Sequence, residues 1–476
     1  MSKKNCKFNI KFVIIPYNKE KNMIKKNIIK NNLTSYKVKG LKGIIKPPSD
    51  KSISHRALLF SSLAVGKSKI TNLLNSEDVL NMVKALKILG IKILKKNNEY
   101  YVIGSGLTGF KTPSKYIDCG NSGTLARILM GALGGSEIIA TLTGDSSLIT
   151  RPMDRITKPL KKMGINFNSS NGLLPLIVQG SNDLLPIKYN SPVSSAQVKT
   201  SILLAGLNAK GTTEIIEPFS SRDHSENLLK YLGANIKYNT KTSGKNRILI
   251  TGGKSLNSRI ISIPGDISSA AFNIVAAIII PGSNIIIKNV GINYFRKGIL
   301  EALEMMGAKI KLKNKDINNY DEPIADIHVK HSKIKGINLD SSFSVRMIDE
   351  YPILAIAASV ASGKSTFRGL SELRHKESDR FNGIIDGLIS CGVKVEANND
   401  DIIIFGSNSK VKGGVSINCK YDHRIAMSFL ILGAVSNEPI KVIGCKSIST
   451  SYPNFISEVN SIGMNIRDSV NIWRKI

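Results

Sequence analysis

Cysteine is scarce and scattered in this 476-residue chain: Cys6, Cys119, Cys391, Cys419 and Cys445 form no C-x-x-C pair and no even framework. That argues against a disulfide scaffold or a thiolate zinc site and suits a reducing cytoplasm. Aromatic residues make up only 6%, with a single tryptophan, Trp473, which leaves little for the stacking platforms that single-stranded nucleic acids use. No apolar run approaches the ~20 residues of a membrane span; residues 274–280 are apolar but far too short. Residues 1–35 have neither the uninterrupted apolar core nor the small-residue cleavage site of a signal peptide. They are expected to be a disordered basic extension, with Met23 an alternative start and an organellar transit peptide the lesser alternative. Acids are few as well, 35 against 67 Lys and Arg, for a formal charge of +32. The excess is lysine dispersed among Asn and Ile rather than arginine clustered with aromatics, so much of it is compositional. Small anions and nucleic acid both remain compatible with it.

Two segments end like a phosphate-binding P-loop, Gly363-Lys364-Ser365-Thr366 and Gly66-Lys67-Ser68, but Ala358 and Ser61 stand where its first glycine is required. Both follow a helical pattern and are expected to be loops. His328 and His331 lie on an alternating strand without a carboxylate triad nearby, so no metal site is expected.

What the chain does have is repetition. A helical pattern closing on glycine and then a β-branched strand occurs six times, at Gly90, Gly164, Gly233, Gly307, Gly392 and Gly463, spaced 74, 69, 74, 85 and 71 residues apart. Each glycine fits a left-handed residue just past an amphipathic helix, before the chain turns into a sheet edge. Between these points lies a second six-fold element, a polar start followed by a nearly all-apolar helix. Its members begin at Asp50, Asn121, Ser194, Asp266, Asp349 and Asp422. Such continuous apolarity means burial on all sides. The expected fold is α/β (α+β), with six units of βαβαββ type making two pseudo-symmetric domains of three units each, within ordinary domain sizes.

The starts of the buried helices are also where polar chemistry gathers. Pro47-Pro48-Ser49-Asp50-Lys51-Ser52-Ile53-Ser54-His55-Arg56 brings cations and hydroxyls to a first turn, where free N–H groups and the helix dipole favour an anion. A lone start of this kind is better read as an ordinary cap, and Asp349 taken alone is as well explained by capping as by catalysis. Recurrence shifts the balance toward a phosphate or carboxylate site. Arg374-His375-Lys376-Glu377-Ser378-Asp379-Arg380 reads either as a solvated helix start with a like-charged i,i+4 pair or as an anion site with a proton-transfer group. If these starts converge between two domains, the cleft is electropositive, holds isolated carboxylates, and its like charges hold its faces apart until an anion enters.

Lys51-Ser52-x-Ser54-His55-Arg56, Gly120-Asn121-Ser122-Gly123-Thr124, Arg151-Pro152-Met153, Ser195-Ala196-Gln197-Val198-Lys199, Lys376-Glu377-Ser378-Asp379-Arg380 and Asp422-His423-Arg424 occur in the order seen in the 5-enolpyruvylshikimate-3-phosphate synthases. The resemblance runs from about Val38 to near the C-terminus. Arg222-Asp223-His224 and Met347-Ile348-Asp349-Glu350-Tyr351-Pro352 resemble the class II bacterial branch, which has glyphosate-tolerant members. This resemblance implies a two-domain inside-out α/β barrel, with residues 36–49 plus 264–476 as one domain and 50–263 as the other, and the active site in the cleft between them. It implies transfer of the carboxyvinyl group of phosphoenolpyruvate to the 5-hydroxyl of shikimate 3-phosphate, without metal or cofactor, by a cytoplasmic monomer that binds neither nucleic acid nor membrane. By position, it assigns Lys51, Ser52, Arg56, Ser195, Ala196, Gln197, Arg222, Asp349 and Lys376 to shikimate 3-phosphate. Lys51, Gly123, Arg151, Gln197, Arg380 and Arg424 fall to phosphoenolpyruvate. Asp349 takes the hydroxyl proton, and Glu377 with Lys51 manages the enol methylene. Two departures stand out: Thr450-Ser451 precedes Tyr452-Pro453 where many relatives carry a lysine, and Ile128 follows Arg127 where the better-known branch has proline. The UDP-N-acetylglucosamine enolpyruvyl transferases share this fold and donor chemistry, but their reactive loop Cys or Asp and Lys-x-x-x-Asn start are not found here.

Overall fold

The computed structural model describes residues 29–238 and 246–469; residues 1–28, with most of the expected extension, and Trp473 lie outside them. All six repeat glycines are left-handed, with φ of 89° at Gly90, 103° at Gly164, 94° at Gly233, 95° at Gly307, 82° at Gly392 and 115° at Gly463. At the first, the Gly90 N–H donates to the Lys87 carbonyl and the Ile91 N–H to the Leu86 carbonyl, so glycine satisfies the orphan carbonyls of a helix end at a φ that a β-carbon would strain. Each turn leads into Lys92–Lys96, Asn166–Ser169, Asn235–Tyr238, Lys309–Ile317, Val395–Asn398 or Ile466–Asp468, and each of these strands is the edge of its sheet.

Six small mixed sheets result. In four of them the strand before a core helix pairs in parallel with the strand after it, as Ile117–Asp118 does with Ile139–Thr143 around the helix Gly123–Leu133. The other two exchange partners. Lys42–Ile45 precedes the helix Lys51–Leu63 but pairs with Asn284–Gly291, which follows the helix Ile267–Ile279. Ile260–Ser262 precedes that second helix but pairs with Ala64–Thr71, which follows the first. The chain therefore crosses twice between two bodies, and the hydrophobic residues fall into two clusters to match. One runs from Ile53 to Ile263 with Tyr320 added, and the other joins Ile29–Ile45 to residues 267–466.

The core helices are as buried as their apolarity predicts. All 13 residues of Ile267–Ile279 and all ten of Tyr351–Val360 and of His423–Leu432 are buried; each fully buried Leu or Ile contributes ~1.5–3 kcal/mol. Three of the six caps fall one residue later than expected, at Ser122, Ser195 and Glu350. Ser122 and Ser195 accept the backbone N–H of Leu125 and Val198 through their hydroxyls, whereas the Asp349 side chain is turned to other partners. Asn32–Ser35, placed by composition in the disordered extension, is a strand between Ile440–Ile443 and Ile466–Asp468, with Leu33 in the core. Its four-residue alternation is too short to stand out among lysines. Both P-loop-like segments belong to strands, Ala64–Thr71 and Lys364–Phe367, rather than loops.

Candidate active site

Asp349, in the turn ahead of the helix Tyr351–Val360, gathers side chains from several separate segments of the chain. Its Oδ2 accepts from Arg222 Nη2 at 2.5 Å, and its Oδ1 lies 3.3 Å from Arg380 Nη1 and 3.5 Å from Lys376 Nζ. Its backbone carbonyl accepts from Arg424 Nη1 at 3.1 Å. Burial works to raise the carboxyl pKa, but Lys376, Arg424, Arg222 and Arg380 together hold it well below the usual range. Lys376 and Arg380, a repelling pair if both sat on one helix, instead share this carboxylate, because the helix Arg380–Ser390 begins only at Arg380.

Arg380 is fixed by acids on every side. Its Nε donates to Asp422 Oδ2 at 2.8 Å and its Nη2 to Glu377 Oε2 at 2.5 Å, with the side chain 1% exposed. Asp422 uses its other oxygen to cap the helix His423–Leu432 through the Arg424 and Ile425 N–H groups, so one carboxylate positions two arginines. Glu377 is also held well below the ordinary carboxyl range; burial opposes this, and Arg380, His423, Arg151 and Lys51 outweigh it. Lys51 itself pairs with Asp78 at 3.1 Å.

The other body supplies a second set of donors. Arg151 Nη2 donates to Asn121 Oδ1 and to Ser147 Oγ, both at 2.9 Å, and Ser147 Oγ reaches the Glu377 carbonyl at 3.4 Å. A β-carbon built on Gly123 lies 3.5 Å from Nη1 of both Arg127 and Arg151 and 3.6 Å from Leu148, which is ordinary contact. Neither the backbone nor the packing of the protein itself therefore demands glycine here, and a methyl group would lie against two guanidinium groups. Arg127 Nη1 donates to Gln197 Oε1 at 2.7 Å, and Gln197 Nε2 donates to Thr124 Oγ1 at 2.9 Å. Burial, with Arg151 and Arg155 nearby, pushes Arg127 down to about 10.

Arg56, Ser195 and Ala196 stand one layer back. Arg56 is 2% exposed and donates to Ser225 Oγ, Thr200 Oγ1 and the carbonyls of Ser52 and Ala196. Ser195 caps its own helix and gives its N–H to Glu217. Ser52 accepts from Arg222 Nη1 at a long 3.4 Å. Lys51, Ser52, Gly123, Arg151, Gln197, Arg222, Asp349, Lys376, Glu377, Arg380 and Arg424 thus belong to one linked surface, and Arg56 with Ser195 and Ala196 braces it. Asn121, Ser147, Arg127 and Asp422 were not singled out as site residues. Arg127 had a signal, sitting one turn beyond Gly123 on the same helix; Ser147 had none.

Opposite charges pair segments far apart in the chain: Arg222 with Asp349, and Arg155 Nη1 with both oxygens of Glu372 at 3.0 Å. Beside the crossing strands, His224 Nδ1 lies 2.5 Å from Glu322 Oε1, and Asn293 Nδ2 donates to both Asp223 and Glu322. The Asp223, His224 and Glu322 ligand atoms lie within 4.8 Å of one another, and Asn293 and Asn227 already donate into this cluster.

Fixed arginines and lysines gathered around the carboxylates of Asp349 and Glu377 suit a protein that handles small anions. The comparisons with known proteins make the assignment specific. The chain belongs to the EPSP synthase (3-phosphoshikimate 1-carboxyvinyltransferase) family, whose pattern matches residues 36–459. Proteins named 3-phosphoshikimate 1-carboxyvinyltransferase from Gluconobacter oxydans and Magnetococcus marinus are 42% and 44% identical to it, over 90% of this chain and 97% and 95% of theirs. A solved structure of EPSP synthase from Acinetobacter baumannii superposes with a TM-score of 0.82 at 40% identity, covering 93% of this chain and 100% of its own. The mixed α/β fold is that of the family. No helix among the described residues is long and apolar enough to cross a membrane.

Proposed function

We propose that this protein transfers the carboxyvinyl group of phosphoenolpyruvate to the 5-hydroxyl of shikimate 3-phosphate, releasing phosphate, in the shikimate route to aromatic amino acids. The observation that carries the reading is the Asp349 carboxylate set among Arg222, Lys376 and Arg380. Both substrates are polyanions, so the fixed cations position them and stabilise charge without reacting. In this reading Lys51, Ser52, Arg222 and Lys376 receive shikimate 3-phosphate, with Arg56, Ser195, Ala196 and Gln197 shaping its seat. Arg151, Arg380 and Arg424, with the open face of Gly123 and with Lys51 and Gln197 shared, hold phosphoenolpyruvate.

The strongly ionised state of Asp349 has a chemical consequence. A carboxylate stabilised by so many cations is always charged but is a weak base. Anionic substrates bound beside the same cations offset their field and raise its basicity where the hydroxyl proton must leave. Glu377 with Lys51 gives a proton to the methylene carbon as the hydroxyl oxygen adds to the neighbouring carbon, and takes a proton back from that methyl group as the carbon–oxygen bond to phosphate breaks, restoring the double bond. We divide the chain into two domains at residues 49/50 and 263/264, with the strand Asn32–Ser35 joining the domain that carries the C-terminal half, and the protein works as a cytoplasmic monomer. The test is phosphate release: it should require both substrates together and should not occur when UDP-N-acetylglucosamine replaces shikimate 3-phosphate. Release with that nucleotide sugar alone would move the protein to the sister activity.

A further inference from the structure

Three cations hold Asp349, and they differ in how free they are to leave. Arg380 is 1% exposed and pinned by Asp422 and Glu377 as well as by Asp349. Lys376 touches Oδ1 only, at 3.5 Å. Arg222 holds Oδ2 at 2.5 Å, and among the described residues its other side-chain hydrogen bond is the long contact to Ser52 Oγ at 3.4 Å. Its side chain is 19% exposed. The backbone beneath it is anchored, since the next two residues, Asp223 and His224, are buried and tied to Asn293 and Glu322. Arg222 is thus a lightly held head on an anchored base, reaching a carboxylate 127 residues along the chain.

We propose that Arg222 is a latch on Asp349, released by the 3-phosphate of the acceptor substrate: the phosphate draws the guanidinium off Oδ2 and leaves that oxygen free to take the hydroxyl proton. Arginine meets phosphate through two parallel N–H bonds, so a dianion beside Ser52 competes well for a head that holds its present partner with one nitrogen. The phosphate that identifies the substrate then also switches on the base that acts on it, and catalysis is coupled to recognition by the differential affinity of one side chain for two anions. In this role Arg222 is a positioning residue. The inference rests on the carboxyvinyl-transfer reading and adds order to it.

The experiment cuts the acceptor in two. Wild-type enzyme is given phosphoenolpyruvate with shikimate, which lacks the phosphate, and phosphite dianion is titrated in as the missing piece. Phosphite should raise kcat for shikimate by roughly 5- to 150-fold, the usual span of a coupling between two sites. Arg222→Gln should turn shikimate over faster than wild type does without phosphite, and phosphite should no longer accelerate it; with shikimate 3-phosphate the same variant should show a raised KM. No activation of wild type by phosphite, or equal activation of wild type and Arg222→Gln, would overturn the latch. Failure of wild type to turn over shikimate 3-phosphate at all would instead overturn the reading beneath it.

Discussion

Replacing Asp349 by asparagine keeps the size and hydrogen-bonding of the side chain but removes the carboxylate proposed above to accept the hydroxyl proton. It also removes the negative charge at the meeting point of Arg222 Nη2 (2.5 Å), Arg380 Nη1 (3.3 Å) and Lys376 Nζ (3.5 Å). Two effects of opposite sign follow. Loss of a general base lowers kcat by ~10²-fold or more, equivalent to at least ~2.7 kcal/mol of transition-state stabilisation. Loss of a competing anion frees three cations for the substrates, so both should bind at least as tightly as to wild type. The assay is phosphate release for kcat, with equilibrium titration of each substrate. Near-normal turnover in Asp349→Asn would refute the placement of the base. Lost turnover together with lost binding of both anions would show that Asp349 organises the cleft rather than acting on the proton.

Other outcomes follow from neighbouring geometry. Gly123→Ala places its new methyl in ordinary contact with Arg127, Arg151 and Leu148, so the fold should tolerate it. The pocket narrows for the longer occupant: glyphosate should lose ~1–3 kcal/mol of affinity and phosphoenolpyruvate less, and equal losses in paired titrations would remove Gly123 from that site. Lys199 is 1% exposed, 2.7 Å from Glu226 and 3.1 Å from Glu217. Lys199→Met strands two buried carboxylates and should cost ~3–5 kcal/mol in denaturant unfolding; a loss below ~1 kcal/mol would show that the acids neutralise themselves. Glu377 is held below its ordinary range, so the stability it contributes is present above the unfolded-state value of ~4.3 and is lost as pH falls toward its folded value. Glu377→Gln should therefore lose less unfolding free energy between pH 5 and pH 3 than wild type, and identical pH slopes would contradict the charge network.

Much of this architecture was legible because glycine and apolarity carry physical information that lysine-rich drift does not erase. The six glycines named the six helix ends and, through them, the six edge strands, since few other residues accept φ near 90°. The all-apolar helices named the core. The exchange of partner strands between Lys42–Ile45 and Ile260–Ser262 could not be seen in residue patterns, because pairing is decided by which strand lies alongside and not by composition. The short strand Asn32–Ser35 was lost for a related reason: most of its stability comes from partners more than 400 residues away. In the site, the motif residues do lie near one another, but their hydrogen-bond partners were not legible. Nothing in Ser147 or Asp422 as letters says that one reaches the Glu377 carbonyl across the cleft and the other holds Arg380. Sequence counts charges without showing that Arg155 faces Glu372 and Arg222 faces Asp349.

The central claim, that these helix ends form a cleft for carboxyvinyl transfer, is tested most directly by phosphorus NMR of the purified protein mixed with phosphoenolpyruvate and shikimate 3-phosphate, with no nucleotide or other phosphoryl donor present. The account predicts that the phosphoenolpyruvate signal is replaced mole for mole by inorganic phosphate while the ring phosphate of the acceptor persists with a shifted resonance, as expected when the 5-hydroxyl of the same ring becomes an ether. Loss of the ring phosphate, or phosphate release without any change at the acceptor, would contradict it.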